Sequence, residues 1–192
     1  MTSDEVLEFW LGPSSERGQP TGSVQGRWWK KSDSFDAEIQ QRFGGTISKV
    51  GAGEIDWSGD ARGALGMVIV LDQFTRNTRR GTGLMYEFDM RAHRIAVHAL
   101  DADQDAALAF GERYFLYMPL MHAEDIASQD RGIECFTKLA GEAPHFAAVV
   151  KYAHQHRDIV ARFGRFPHRN ELLDRESSPE EIEFLKEPGS SF

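Results

Sequence analysis

The stretch Val149–Phe163, which reads VVKYAHQHRDIVARF, has apolar side chains at the spacing of an α-helix. Its apolar face consists of Val149, Ala153, His156, Val160 and Phe163. Gly164 follows directly, and glycine after the last periodic residue is typical of a helix end. Apolar positions three or four residues apart predict an amphipathic helix rather than a strand. This segment therefore predicts a long helix that buries one face.

The same periodicity recurs from end to end of the chain. Further helices are predicted to begin near Thr2, Ser32 or Ser34, Asp60, Leu84, Ala107, Ile126 and Ser178. The helix after Ser32 is expected to bend or break at Gly44-Gly45, and the helix through Tyr117 is expected to stop at Pro119. The run Met67–Leu71 could be a buried strand, but its flanks have helical spacing and no second β-branched run could pair with it. The sequence thus predicts an all-α protein.

Short loops between helices of this length predict antiparallel neighbours, either a bundle or a stack of helical hairpins. No internal repeat is strong enough to fix a repeat length. No linker divides the chain, so a single domain over residues 1–192 is expected.

Composition excludes several classes of protein. The chain has 192 residues, 41% of them apolar and 27% charged, which is ordinary for a globular protein. The formal net charge of −8 argues against nucleic acid as a partner, and no apolar run approaches the length of a membrane span. Cys135 is the only cysteine and no secretory signal is visible, so a cytoplasmic location is expected.

The first candidate site is the segment 72–81, which reads DQFTRNTRRG. Asp72 lies on a stripe that should face the core, and Arg76 is one helical turn further on, where the two can form an ion pair. This pair could simply fasten the helix end. Alternatively, Asp72 orients arginines that bind an anion, because Arg76, Arg79 and Arg80 exceed what one carboxylate can neutralise.

The second candidate is His122, which follows Pro119 and precedes Glu124 and Asp125. With Pro119 as a helix stop, His122 is expected in the turn or in the first residues of the next helix. A histidine there could act as a general base or donate to an anion near neutral pH. It could equally be a solvated or capping group.

The third candidate is the basic segment 154–170 at the end of the opening helix. His154 and His156 are two residues apart and lie on nearly opposite helix faces, so they cannot chelate one metal ion. His156 falls on the apolar face and is expected to be a hydrogen-bonded core residue, whereas His154 could meet Asp158 on the other face. The groups expected to bind an anion here are Arg157, Arg165, His168, Arg169 and Asn170.

Other chemistries have no motif in this sequence. There is no Cys/His set with zinc spacing, no HExxH, no phosphate-binding loop and no GxSxG elbow. No cofactor and no metal are therefore expected. Cys135 lies beside the stripe of Phe136 and is expected to be a small core residue. The four tryptophans are expected to be core and helix-docking residues.

At these same segments the chain resembles a bacterial family catalogued as domain of unknown function 924. The matching stretches are LDQFTRN at 71–77, RGT at 80–82, ERYFLYMPL at 112–120 with His122 and Glu124, HRDIVARFGRFPHRN at 156–170 and PGSSF at 188–192. The chain departs from the family pattern with Thr75 for proline, Ala123 for serine and Asp174 for glycine. The resemblance implies antiparallel helical hairpins stacked in a tetratricopeptide-like array. It implies no activity.

Three functional hypotheses remain open at this point. The first is a binding module in which the arginines hold a small carboxylate or phosphate ligand, or an acidic peptide. The second is an enzyme in which His122 or His154 acts as a general acid/base, with its tautomer fixed by Asp72 or Asp158. The third is a purely structural polar network. The C-terminal Phe192 is also expected to dock on the domain.

Overall fold

The computed structural model describes residues 1–17 and 22–191. Within these ranges the chain forms ten α-helices and no strand. The helices are α1 (Ser3–Leu11), α2 (Gly22–Trp28), α3 (Asp33–Ala52), α4 (Ala61–Val68), α5 (Thr75–Thr78), α6 (Asp89–Asp101), α7 (Phe110–His122), α8 (Ile126–Glu142), α9 (Ala148–Phe163) and α10 (Pro179–Phe184). The all-α prediction is confirmed. The expected docking of Phe192 lies outside the described residues.

The helix starts follow the capping signals of the sequence. Thr2 accepts from the backbone N–H of Glu5, whose carboxylate accepts in return from the N–H of Thr2. Asp60 accepts from Gly63 N at 2.8 Å, and Ser178 forms a second capping box with Glu181. Each side chain satisfies a backbone donor that the first helical turn leaves without an intrahelical partner.

Two expected helix boundaries are wrong. Helix α3 runs through Gly44-Gly45 without a break, because its apolar face, which includes Ile39 and Phe43, is fully buried on the core. Helix α7 likewise continues through Pro119 to His122. Proline removes one backbone hydrogen bond, but packing of the apolar residues around it stabilises the helix. As a result, His122 is the last residue of α7 and not part of a turn.

The unbroken α3 leads to a test. Replacing Gly45 with alanine should raise the free energy of unfolding by about 0.5–1 kcal/mol, because glycine inside a helix loses more backbone entropy than alanine. No described atom outside its own helix lies within 4 Å of where a Cβ would stand at Gly45. In α4, by contrast, a Cβ at Gly63 would lie 1.8 Å from the Trp57 carbonyl oxygen. Gly63→Ala should therefore lower the free energy of unfolding. Urea titration of both variants measures the two effects, and stabilisation by both changes would contradict this packing.

Helices α7, α8 and α9 pack in sequence, and α6 packs on α7. The connection from α7 to α8 is only Ala123–Asp125, so these helices are antiparallel neighbours. Tyr114 on α7 stacks on Phe146, just before α9, with ring centres 5.2 Å apart. Helices α7 and α9 therefore run in the same direction, and both pack on α8. The tetratricopeptide-like arrangement remains a prediction. No helix in the described ranges is long and apolar enough to cross a membrane.

Two irregular segments shape the region beside α7. Residues Ile69–Phe74 form a turn of π-helix between α4 and α5, and Thr75 Oγ1 donates to the carbonyl of Val70, five residues back. Residues Gly83–Tyr86 form a 3₁₀ turn before α6, where a continuous helix from Leu84 was expected. Single π turns inside helices are common at functional sites. Here the π turn contains Asp72.

Candidate functional site

A cavity of about 590 Å³ opens beside α7 and α9. Its walls come from α2, α5, α7, α9 and three 3₁₀ turns, Gly83–Tyr86, Pro144–Phe146 and Pro167–Arg169. The lining is mostly aromatic and aliphatic, with a few polar groups. These polar groups are Gln25, Arg76, His122, His145, His156, His168 and Arg169. A cavity of this size with convergent polar groups is typical of a small-molecule site.

The central pair of the site is Asp72 and His122. His122 Nδ1 lies 2.7 Å from Asp72 Oδ1, although the two residues are 50 positions apart in the chain. The same Asp72 oxygen lies 3.4 Å from Arg76 Nη2. The other oxygen accepts a 2.6 Å hydrogen bond from Gln73 Nε2. Asp72 is completely buried, and only 12% of the His122 side chain is exposed.

The electrostatic surroundings fix the protonation of this pair. Burial alone would raise the pKa of Asp72, but Arg76, His122 and Gln73 together hold it well below its usual 3.8. Burial and the positive charge of Arg76 lower the pKa of His122 below 6.5, against the opposing effect of Asp72. Asp72 is therefore an anion and His122 neutral at pH 7. A carboxylate can only accept, so Nδ1 of His122 has the proton and Nε2 has a free electron pair.

A second carboxylate joins the two arginines of the site. Asp89 accepts from Arg76 through both of its oxygens, at 2.8 and 2.9 Å, and from Arg169 Nη1 at 3.2 Å. Arg169 Nη2 donates to the carbonyl of His122 at 3.0 Å. The Arg169 guanidinium lies between the rings of Tyr86 and Phe166, 4.6 and 4.5 Å from their centres. Arg169 thus links the C-terminal basic segment to the end of α7.

Five of the predicted site residues lie together here: Asp72, Arg76, His122, His168 and Arg169. The others lie away from the cavity. Arg80 pairs with Asp36, Arg157 with Asp130, and Arg165 with Glu181, and Asn170 bonds Ser177 and Arg175. His154 is exposed on α9 and does not line the cavity. The structure therefore separates the basic segment into a part that faces the cavity and a part that fastens the C-terminal region.

A family model described as bacterial protein of unknown function (DUF924) matches residues 6–189. The chain belongs to this family. A solved structure of a protein of unknown function from Agrobacterium tumefaciens is 36% identical, with a TM-score of 0.81, over 96% of each chain. No curated protein matches this chain.

One departure of this DUF924 chain from the family pattern has a simple structural account. Asp174, where glycine is common in the family, has φ +51°. This left-handed region favours glycine and tolerates aspartate better than most residues. Thr75, in the usual place of proline, is buried and donates its hydroxyl to Val70 O, as described above.

Several residues at the cavity of this DUF924 chain, or directly behind it, were not predicted as site residues. Tyr86 lies in the 3₁₀ turn and Asp89 at the start of α6, where a single long helix was expected. The cavity also has an aromatic wall, which consists of Trp28, Trp29, Tyr114, Phe146 and Tyr152. The two tryptophans were expected to be core and helix-docking residues. A core aromatic and a cavity aromatic have the same periodicity in a sequence, so no local signal separates them.

His156 is buried, as its place on the apolar face predicts. Its Nδ1 donates to the carbonyl of Tyr152 at 2.8 Å, and its ring lies edge-on to Phe166. Burial lowers the pKa of His156 to about 3, with smaller contributions from the nearby His122, Arg169 and His168. This histidine is therefore neutral in the folded protein across the usual pH range.

This buried histidine predicts a pH dependence of stability. Below its usual pKa of 6.5 the unfolded chain gains a proton that folded His156 does not take up until about pH 3. Falling pH through this window therefore favours the unfolded state, by up to about 1.4 kcal/mol per pH unit from this residue. Urea titrations at several pH values between 6.5 and 4.5 give the free energy of unfolding at each pH. This free energy should fall less steeply with falling pH for His156→Gln than for the control His154→Gln, because the side chain of His154 is exposed. Equal slopes would contradict a buried neutral His156.

Proposed function

We propose that the cavity binds a small anionic molecule and that His122 acts on it as a general base. The observation that carries the proposal is the 2.7 Å contact between His122 Nδ1 and Asp72 at the edge of a cavity lined by Arg76 and Arg169. A carboxylate on one ring nitrogen leaves the other as a base, which is how enzymes orient catalytic histidines.

The proton would move in one step. Nε2 of His122 takes a proton from a bound water or from the ligand itself, and the imidazolium that forms is stabilised by Asp72. Asp72 acts through His122 and is a positioning residue. Such general-base assistance contributes roughly 10²–10⁴-fold to a rate.

A binding module without catalysis is the second candidate. It is favoured by the absence of serine, threonine, cysteine and lysine among the described residues that line the cavity. An enzyme with this lining has no serine, threonine, cysteine or lysine nucleophile among the described residues, so in this proposal His122 activates water or removes the ligand's own proton. The mainly apolar lining suits a small molecule better than an acidic peptide. The cytoplasmic location expected from the single cysteine remains a proposal.

The test is to assay purified protein for turnover of a panel of small anionic compounds. Each compound has either a hydrolysable bond or an acidic proton. His122→Asn should reduce turnover of any active compound by at least about 100-fold. His154→Asn is the matched control, because it removes an exposed histidine outside the cavity, and it should leave turnover unchanged. If His122→Asn retains full turnover, the base is another group. If no compound reacts but anions bind, the binding-module candidate stands.

A further inference from the structure

The cavity has two chemically different ends, and α7 spans both. Tyr114, Met118, Met121 and His122 all face the cavity from this helix. Tyr114 and His122 are eight positions apart, so about 12 Å of helix axis separates them at 1.5 Å per residue. On α9, Val149 and His156 mark the same two ends. A ligand that fills the cavity therefore contacts both.

The end near Tyr114 is aromatic. Trp29 lies against Tyr114 with ring centres 6.1 Å apart, and Tyr114 stacks on Phe146. Trp29 and Tyr152 also remain 59% and 53% exposed, although both are large aromatic side chains that line the cavity. Exposed aromatic surface at the edge of a cavity is a mark of a ligand-binding site. This end is suited to the apolar body of a ligand.

The end near His122 presents cations. Arg76 and Arg169 line the cavity, whereas Asp72 and Asp89 are not among its described lining residues and lie behind the arginines. Arg169 Nε is buried and has no hydrogen-bond acceptor among the described residues. A buried donor without an acceptor is unfavourable, so an acceptor supplied by a ligand at this end would stabilise the site.

The charge balance at the end of the cavity near His122 favours a ligand with one negative charge over a ligand with two. Two arginines face two carboxylates, Asp72 and Asp89, and His122 is neutral, so the group has no net charge. A carboxylate ligand adds one negative charge, which the Arg169 Nε–H can meet with a hydrogen bond while His122 stays neutral. A phosphate monoester adds nearly two negative charges, and burying the second one is more unfavourable.

We infer that the ligand of this site is an amphipathic monoanion, a carboxylate attached to an apolar or aromatic body roughly 12 Å long. The carboxylate lies beside Arg169 and the body extends along α7 to Trp29 and Phe146. This inference deepens the proposed function, since it names the class of molecule on which His122 would act.

Isothermal titration calorimetry with decanoate, below the concentration at which it forms micelles, tests this inference. Decanol has the same body without the charge, acetate the charge without the body, and decyl phosphate a second charge. We expect decanoate to bind at least tenfold more tightly than each of these three. Trp29→Ala should weaken decanoate binding about tenfold. Met90→Ala is the matched control, because Met90 is exposed and outside the cavity lining, and it should have no effect.

Equal affinity for decanol, tighter binding of decyl phosphate, or binding that Trp29→Ala leaves unchanged would overturn the inference. The same titration with His122→Asn separates it from the proposed function. If this variant binds decanoate as the wild type does but also retains turnover, the ligand class stands and the base role fails. If no carboxylate binds while His122→Asn abolishes turnover of another compound, the base role stands and the ligand class fails.

Discussion

Replacing Asp89 with alanine is expected to lower the free energy of unfolding by about 3–5 kcal/mol, which is the usual effect of breaking a buried ion pair. Asp89 accepts three hydrogen bonds from Arg76 and Arg169, whose side chains are only 16% and 8% exposed. Without Asp89, Arg169 has no carboxylate within 4 Å among the described residues, and Arg76 has only Asp72. Two buried cations would then lie side by side.

The matched control is on the same helix. Asp101 pairs with Arg131, but its side chain is 61% exposed, and a surface pair of this kind contributes about 0–1 kcal/mol. Urea unfolding followed by circular dichroism should therefore separate Asp89→Ala from Asp101→Ala clearly. Equal urea midpoints for the two variants would mean that Arg76 and Arg169 find other partners or water. Asp89 would then not hold the two arginines at the cavity as described.

Replacing Asp72 with asparagine should reduce turnover of a substrate of His122 by roughly 10²–10⁴-fold, mainly through kcat. An asparagine amide can donate to Nδ1 of His122, which would place the ring proton on Nε2 and remove the base from the cavity. Binding should suffer less, because Arg169 and the aromatic wall do not depend on Asp72 for their contacts with a ligand.

A pH–rate profile distinguishes this role from simple loss of folding. The remaining activity of Asp72→Asn should have a changed dependence on pH, whereas Asp130→Asn, in an exposed pair with Arg157, should match the wild type in rate and profile. A variant at Asp72 that remains folded and fully active would contradict the positioning role.

The helices were predictable because their signals are local. Periodic apolar residues and capping side chains such as Asp60 and Ser178 act within one or two turns, and the structure contains these caps. The two wrong boundaries, at Gly44-Gly45 and Pro119, arose where burial of a whole helix face outweighs the preference of single residues. Propensity is a weak guide where tertiary packing is strong.

The site was predictable only in part. The Asp72–Arg76 pair is one turn apart and follows from helix geometry. Asp72 and His122 each stood out in the sequence, but their pairing across 50 positions depends on how α7 packs beside the π turn. The arginines of the C-terminal segment looked equivalent, yet the acidic partners of Arg157 and Arg165 lie 27 and 16 positions away. Their partners follow from the fold and not from spacing.

The most direct test of the central claim is ¹⁵N NMR of the histidine side chains, with His122 assigned by comparison with His122→Asn. We predict that His122 has its proton on Nδ1 near neutral pH and titrates below its usual 6.5. Addition of a bound carboxylate should perturb the Nε2 resonance. A His122 ring protonated on Nε2, or one that titrates at or above 6.5 as an exposed histidine does, would contradict the account of a neutral base oriented by Asp72.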